Sequence, residues 1–177
     1  MVSARAQPVP TDLRPVVTRM LDLLSAVGAR RSVRFELDAP QEPTMAAVDE
    51  GQLQQALTNI VLNGVQAMPH GGRIRVRITS VHATPPAAIG QPPGEYRRIE
   101  VEDEGAGIAP EHLPHIFEPF FTTKGVGEGT GLGLSVAHGI VADHGGWIEV
   151  DSTAGRGTRF RVYLPAVAGA APLRVAS

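Results

Sequence analysis

From Gly125 to Gly133 every second residue is glycine, and the run Gly125-Val126-Gly127-Glu128-Gly129-Thr130-Gly131-Leu132-Gly133-Leu134-Ser135 passes without a break into an apolar helical pattern carried by Leu134, Ala137 and Val141. Glycines at that density leave successive backbone amides uncovered. Amides at the start of a helix also sit at the positive end of its dipole, where they suit phosphate groups. The chain must therefore fold so that the start of its last helix stays open to a ligand. No Gly-Lys-Ser/Thr follows, which excludes a Walker loop, and no short strand leads directly in, which excludes a dinucleotide fingerprint. A flexible hinge would account for the glycines but not for their abrupt passage into a helix, so phosphate binding is the favoured reading.

The rest of the chain supplies the frame for that helix. Leu13, Val16, Val17, Met20, Leu24 and Val27 recur at helical spacing, with Thr11 placed to cap the helix and Gly28 to end it. Val33, Phe35 and Leu37 alternate as a strand, and a short Pro-containing connection follows. Asp49, three positions before Gln52, opens a long helix that runs to about Met68, where His70-Gly71-Gly72 stops it. Ile74, Val76 and Ile78 form one strand, and Ile99 and Val101 another, joined by a Pro-rich surface loop from His82 to Gly94. Residues from about Glu104 to Thr130 lack periodicity yet hold Phe117, Phe120 and Phe121, which suits a mobile segment with apolar anchors. A helix from about Gly131 to His144 and strands near Trp147 to Asp151 and Thr158 to Leu164 complete the pattern. Hairpin pairs rather than strict alternation predict an α+β sandwich, a mixed sheet with helices on one face.

At 177 residues, 42% of them hydrophobic, the chain is the size of one domain. A formal net charge of −2 without a basic run gives no footprint for nucleic acid or an acidic membrane surface. The lack of cysteine excludes disulfides, Cys-ligated zinc and thiol chemistry. No apolar run approaches the roughly 20 residues of a membrane helix, and no signal peptide opens the chain, so a cytoplasmic location is expected.

Polar residues stand out where the pattern calls for apolar ones. Asn59 and Asn63, four apart, share a face of the Asp49 to Met68 helix with Gln55 and Gln66 near the same stripe. An amide oxygen is a hard, neutral ligand suited to a magnesium ion shared with phosphate oxygens, although two asparagines on a helix are more often simply solvated. Asp103 has the phase of Ile99 and Val101, so that a core-facing row ends in a carboxylate that needs hydrogen-bond donors. Gly105, Gly107 and Ile108 after it allow close approach to the backbone. An adenine amino group would be a fitting donor; alone, Asp-x-Gly is more often a turn cap. Thr158 shares the phase of Phe160, Val162 and Leu164, so its hydroxyl also faces inward, as a pocket reading one face of a base would require.

In this order the segments resemble the N, G1, F, G2 and G3 boxes of histidine kinases. Asn59 and Asn63 fall on the N box, Asp103 to Ile108 on G1, Phe117 to Phe121 on the F box, Gly129 to Ser135 on G2 and Gly155 to Thr158 on G3. The match spans about Asp49 to Pro165, with weaker similarity back to Asp12. The resemblance implies the Bergerat (GHKL) ATP-binding fold shared with gyrase, mismatch-repair and heat-shock chaperone ATPases, a two-layer sandwich with a mobile ATP lid at residues 108–130. It implies ATP and Mg²⁺ as ligands, with Asn63 on the metal and Asp103 on the adenine amino group. Asn59, Gln66, Gly105, Gly107, Ile108, Phe117, Lys124, Gly129, Thr130, Gly131, Leu132, Gly133, Leu134 and Thr158 would complete the nucleotide site. Lys124, just past the F box, is the cation best placed for the γ-phosphate, and Asn59, Asn63 and Lys124 would be the catalytic set. The expected organisation is a lead over residues 1–10, the catalytic domain over 11–165 and a linker over 166–177. Two departures stand out: Glu104 where many relatives carry Asn or a small residue, and Gly64 in place of the usual Ala.

Relatives that hydrolyse ATP resemble one another in placing a Glu one helical turn before the magnesium Asn. Here Asn59 holds that position, and an amide cannot act as a general base. Transfer to an external nucleophile is thus favoured over hydrolysis, and phosphoryl transfer asks mainly for positioning and charge neutralisation. The family's phosphoacceptor His is followed by an acid, whereas His70, His82, His112, His115, His138 and His144 are followed by Gly, Ala, Leu, Ile, Gly and Gly. The expected partner is therefore a separate dimerisation and phosphoacceptor domain, in the same parent protein or in trans, with a response regulator receiver domain downstream. The parent kinase could be membrane-anchored. The alternatives are a silent nucleotide-binding regulatory module, a stand-alone ATPase of the same superfamily, or an anti-sigma-type serine kinase. Asn59 opposes the ATPase, and the full F box and long lid oppose the serine kinase.

Overall fold

A computed structural model of the chain describes residues 5–123 and 130–167. In chain order these form β1 (Val9–Asp12), α1 (Leu13–Leu23), α2 (Ser25–Arg30), β2 (Val33–Asp38), β3 (Met45–Val48), α3 (Glu50–Gln66), β4 (Gly72–Ala83), β5 (Gly94–Asp103), α4 (Gly133–Asp143), β6 (Trp147–Thr153) and β7 (Gly157–Pro165). Five strands make one sheet in the order β2-β4-β5-β7-β6, with β2 parallel to β4 and the other pairs antiparallel. β1 and β3 form a separate antiparallel pair. The mixed sheet and the single helical layer agree with the α+β sandwich expected from the hairpin pattern.

Strand alternation sorts the sheet into two faces. Ile74, Val76, Ile78, Ile99, Val101, Phe160, Val162 and Leu164 enter one core with Leu13, Val16, Leu53, Leu57, Ile60, Ala137 and Val141 from the helices. The opposite face carries charge. Glu100 lies at its centre, 5% exposed, within ion-pair distance of Arg77, Arg159 and Arg161, and Arg159 and Arg161 also pair with Glu102 and Asp151. A buried carboxylate is tolerated because it is surrounded by cations and shares them with its neighbours. Farther along the same face Tyr96, Trp147 and Tyr163 make a second apolar cluster, with Trp147 stacked on Tyr163 at 4.5 Å.

Several local expectations are corrected. The first helix is capped by Asp12, whose Oδ1 accepts from Arg14 N–H, while Thr11 is paired with Ala46 in β1. Gly28 lies inside α2 rather than ending a helix, and its lack of a side chain admits Phe35, whose Cε2 would stand 2.8 Å from a Cβ there. The connection after β2 contains β3, and Val9 and Pro10, read as part of a lead, belong to its partner strand. The Pro-rich loop is shorter than expected, since β4 continues to Ala83 and a 3₁₀ turn at Ala87–Ile89 packs Ile89 on the aromatic cluster. At the other end Ala166 bridges to Ala46, and Val167 N–H donates to Met45 O, so the segment read as a linker begins pinned to β3.

The N-cap of α3 is as expected: Asp49 Oδ1 accepts from Gln52 N–H. Its Oδ2 also accepts from Gln7 N–H, and its own N–H donates to His144 Nε2 at the end of α4. These amide bonds hold the Asp49 carboxyl below the usual range. One residue thus joins the incoming chain to the start of α3 and the end of α4, the two helices that build the site.

Candidate functional site

A cleft of about 850 Å³ opens between α3, the start of α4, the ends of β5 and β7, and the segment from Ala106 to Thr123. Its size falls in the range of about 300–1,000 Å³ common for small-molecule sites. Asn59, Asn63, Gln66, Asp103, Gly107, Ile108, Thr130, Gly131, Gly133, Leu134 and Thr158 line it, so most of the residues picked out by pattern come together.

Ile74, Asp103, Thr158 and Ser152 lie side by side across β4, β5, β7 and β6, and Asp103 and Thr158 of this row form the cleft floor. Asp103 is 4% exposed, and its Oδ1 accepts from Gly105 N–H at 2.8 Å and from Thr158 N–H at 3.3 Å. Both donors converge on one oxygen, which leaves Oδ2 as the atom available to a ligand. Burial raises the Asp103 pKa, and the Gly105 and Thr158 amides oppose that rise by stabilising the anion. Gly105 therefore serves the site through its amide rather than by lining the cleft. Gly64 lies above Asp103, where a Cβ would stand 3.2 Å from Oδ2 and 3.1 Å from Ile74 Cδ1. The departure from the usual Ala thus lies over the carboxylate itself. Glu104, the other departure, turns away and pairs with Arg73 at 3.0 Å.

At the opposite end α4 presents its first turn, with Gly133 and Leu134 on the cleft. Asn59 Nδ2 donates to Gly133 O at 3.1 Å and so ties α3 to the beginning of α4. Phe120 N–H donates to Gly131 O, joining the two sides of the segment that holds Lys124 and Gly129, both of which lie outside the described residues. Gly131 has a φ of 68° and packs directly on the Phe120 backbone, an approach closed to a side chain.

Two residues expected at the nucleotide, Phe117 and Leu132, are not among those that line the cleft. Phe117 packs against His138 and Phe160, with centroids 4.9 and 6.4 Å apart, and anchors its segment to the core. Leu132 caps α4 with its side chain turned outward, 37% exposed. Phe121 faces the cleft instead, flanked by His112 and His115 with both ring centroids 5.7 Å away. Pattern reading passed over Ile116, Ala106, His112 and Thr122, which also line the cleft; no periodicity marks them, and only the apolar anchors hinted that this segment folds back. Among the described residues no group of three His, Cys, Asp or Glu could hold a metal by itself. The amide of Asn63 remains a suitable single ligand for an ion that takes its other oxygens from phosphate and water.

Residues 48–168 match the model of the family described as "Histidine kinase-, DNA gyrase B-, and HSP90-like ATPase". The sensor kinase CckA of Brucella abortus (strain 2308) is 40% identical over 162 residues, which cover 86% of this chain and 17% of that protein. The crystal structure of full-length ShkA in complex with AMPPNP aligns with a TM-score of 0.77 and 27% identity over 95% of this chain and 33% of that one. The nucleotide-free catalytic domain of the histidine kinase ThkA aligns at 0.74 and 27% identity, covering 90% of this chain and 96% of that domain. The chain spans under a third of the length of the first curated relatives it matches.

Proposed function

The chain belongs to the histidine kinase-, DNA gyrase B- and HSP90-like ATPase family, and from that membership we propose that it is the catalytic domain of a sensor histidine kinase, passing the ATP γ-phosphate to a histidine on a separate phosphoacceptor domain. The observation that carries this reading is the polarity of one cleft. A buried carboxylate with one oxygen saturated by amides stands at its floor, and a glycine-rich helix start stands at its far end.

In this reading the adenine amino group donates to Asp103 Oδ2, and the triphosphate extends toward the first turn of α4, where the helix dipole favours anions. Asn63 would hold the magnesium ion, which supplies charge neutralisation between phosphate oxygens. Lys124 is assigned to the γ-phosphate. Asn59 holds the helix start in place through Gly133 O and, as an amide, does not activate water. Slow hydrolysis and transfer to an external acceptor follow.

His144 is unsuited to receive the phosphoryl group, since it is buried and both ring nitrogens are engaged, Nδ1 with Ile140 O and Nε2 with Asp49 N–H. None of the six histidines is followed by an acid, and the acceptor is assigned to a dimerisation domain, with a response regulator downstream and the reaction on the cytoplasmic side. The test is phosphate transfer from labelled ATP to an added phosphoacceptor domain of the parent kinase, beside calorimetric binding of an ATP analogue with and without magnesium. Label on the acceptor histidine, with little free phosphate released, is the expected result; binding without transfer to a verified partner would refute the kinase assignment and leave a silent binding module.

A further inference from the structure

Ser152 belongs to no segment that the function has absorbed, yet its hydroxyl is a junction. Oγ accepts from Ile108 N–H at 2.7 Å, donates to Gly157 O at 3.0 Å and lies 2.8 Å from Thr158 Oγ1. Ser152 does not line the nucleotide cleft, whereas Ile108 and Thr158 both do. It stands behind the cleft in the same row as Thr158 and Asp103.

A serine hydroxyl has one proton and two lone pairs. Ile108 N–H can only donate, and Gly157 O can only accept. With the Ser152 proton given to Gly157 O, the Thr158 hydroxyl is left to turn its own proton back toward Ser152. We infer that Ser152 is a positioning residue for nucleotide selection: it fixes Thr158 as a hydrogen-bond acceptor toward the cleft, so that Thr158 Oγ1 and Asp103 Oδ2 together select a 6-amino purine over a 6-oxo purine. The inference rests on the ATP-binding reading of the cleft and adds the residue that gives it polarity. An amino group brings donors to two acceptors. A 6-oxo group would bring an acceptor against them, and an oxygen facing acceptor oxygens finds no hydrogen-bond partner there. Without Ser152, Thr158 is free to rotate its proton into the cleft and donate to a 6-oxo group, and Ile108 loses the bond that holds its amide.

The test compares ATP with inosine triphosphate, which carries a 6-oxo group, by calorimetry on the whole chain. The wild type should prefer ATP. Ser152→Ala should weaken ATP binding about tenfold, the equivalent of one buried hydrogen bond. It should weaken inosine triphosphate binding less, so that the preference narrows, and Ser152→Thr, which keeps the hydroxyl, should restore the preference. Thr158→Val should narrow the preference as far as Ser152→Ala does, and the double variant no further, because the two act as one unit. Equal loss of affinity for both nucleotides in Ser152→Ala would show a merely structural role and overturn the inference, as would additive effects in the double variant. Thermal denaturation without nucleotide confirms that each variant is folded. A wild type that binds ATP without preference overturns this inference alone, whereas one that binds neither nucleotide overturns the ATP reading and this inference with it.

Discussion

Gly64→Ala separates helix propensity from the geometry of the site. In an open helix the change should stabilise by about 1 kcal/mol, the usual advantage of Ala over Gly. Here the new methyl would meet Ile74 Cδ1 at 3.1 Å, Asp103 Oδ2 at 3.2 Å and Asp103 Cβ at 3.3 Å. Neither neighbour can retreat easily, since Ile74 is fully buried, Asp103 is 4% exposed, and the two are cross-strand partners in β4 and β5. Overpacking of this kind costs about 1–3 kcal/mol, so the net expectation is a loss of about 1 kcal/mol. For a domain of this size that lowers Tm by about 2–4 °C. The carboxylate must shift by a few tenths of an ångström, and the Thr158 bond, already 3.3 Å long, is the one to break. ATP affinity should fall about tenfold, the fold-change of one lost hydrogen bond to a charged group. Gly51→Ala is the control, because that glycine lies in the first turn of the same helix, exposed, with only Asp49 Oδ1 at an ordinary 3.6 Å. Denaturation without nucleotide and calorimetry with an ATP analogue measure the two effects. If Gly64→Ala stabilises as much as Gly51→Ala and binds nucleotide as the wild type does, the account of a crowded carboxylate is wrong.

Asp103→Asn should leave the nucleotide-free protein at least as stable near neutral pH while weakening ATP binding tenfold or more. Burial raises the Asp103 pKa, so the folded protein holds that proton more tightly than the unfolded chain does; stability is full below the ordinary carboxylate range and falls as pH climbs to the raised value. The variant should flatten that part of the stability profile, and an unchanged slope in acid-to-neutral denaturation series would contradict it. Gly107→Ala should abolish folding or cost several degrees in Tm, since the residue has a φ of 72° and a Cβ would fall on the Thr153 carbonyl; a stable variant in a melting experiment would refute this. Asn63→Ala should reduce the magnesium dependence of ATP-analogue binding while leaving adenine selection in place, and calorimetry at several magnesium concentrations tests it. His144→Ala removes the acceptor of Asp49 N–H and should lower Tm by several degrees, a loss that melting curves would reveal.

The sheet and its helices were legible because their apolar rows keep one period over enough residues to be read. Ile74, Val76 and Ile78 alternate without interruption, and Asp49 announces α3 by its cap. The elements that escaped are the short ones. β3 has two alanines and four residues, and it is its pairing with β1, more than 30 positions earlier in sequence, that makes it a strand. The site divided the same way. Asn63, Asp103 and Thr158 were visible as polar residues in patterned elements, whereas Phe121 and His112 reach the cleft from a segment whose path is set by tertiary contacts. A run containing Phe117, Phe120 and Phe121 does not reveal which ring turns inward, and Phe117, expected at the nucleotide, does not line the cleft. It packs on Phe160 instead.

What a polar residue in an apolar row does is decided by how its bonds are distributed, which sequence does not record. Glu100, Asp103, His144 and Thr158 are all nearly buried, and by burial alone they are equivalent. Glu100 is surrounded by three arginines and His144 has a partner on each nitrogen, so protein groups answer their charge and hydrogen-bonding capacity. Asp103 differs because both of its amide donors fall on Oδ1, and Thr158 differs because its hydroxyl shares a bond with Ser152 beside the cleft. A buried acceptor left facing a cavity costs stability unless a ligand completes it. Adjacent in register on β5 and β7, the two residues place their acceptors at one point on the cleft floor, where the proposed purine amino group would meet both.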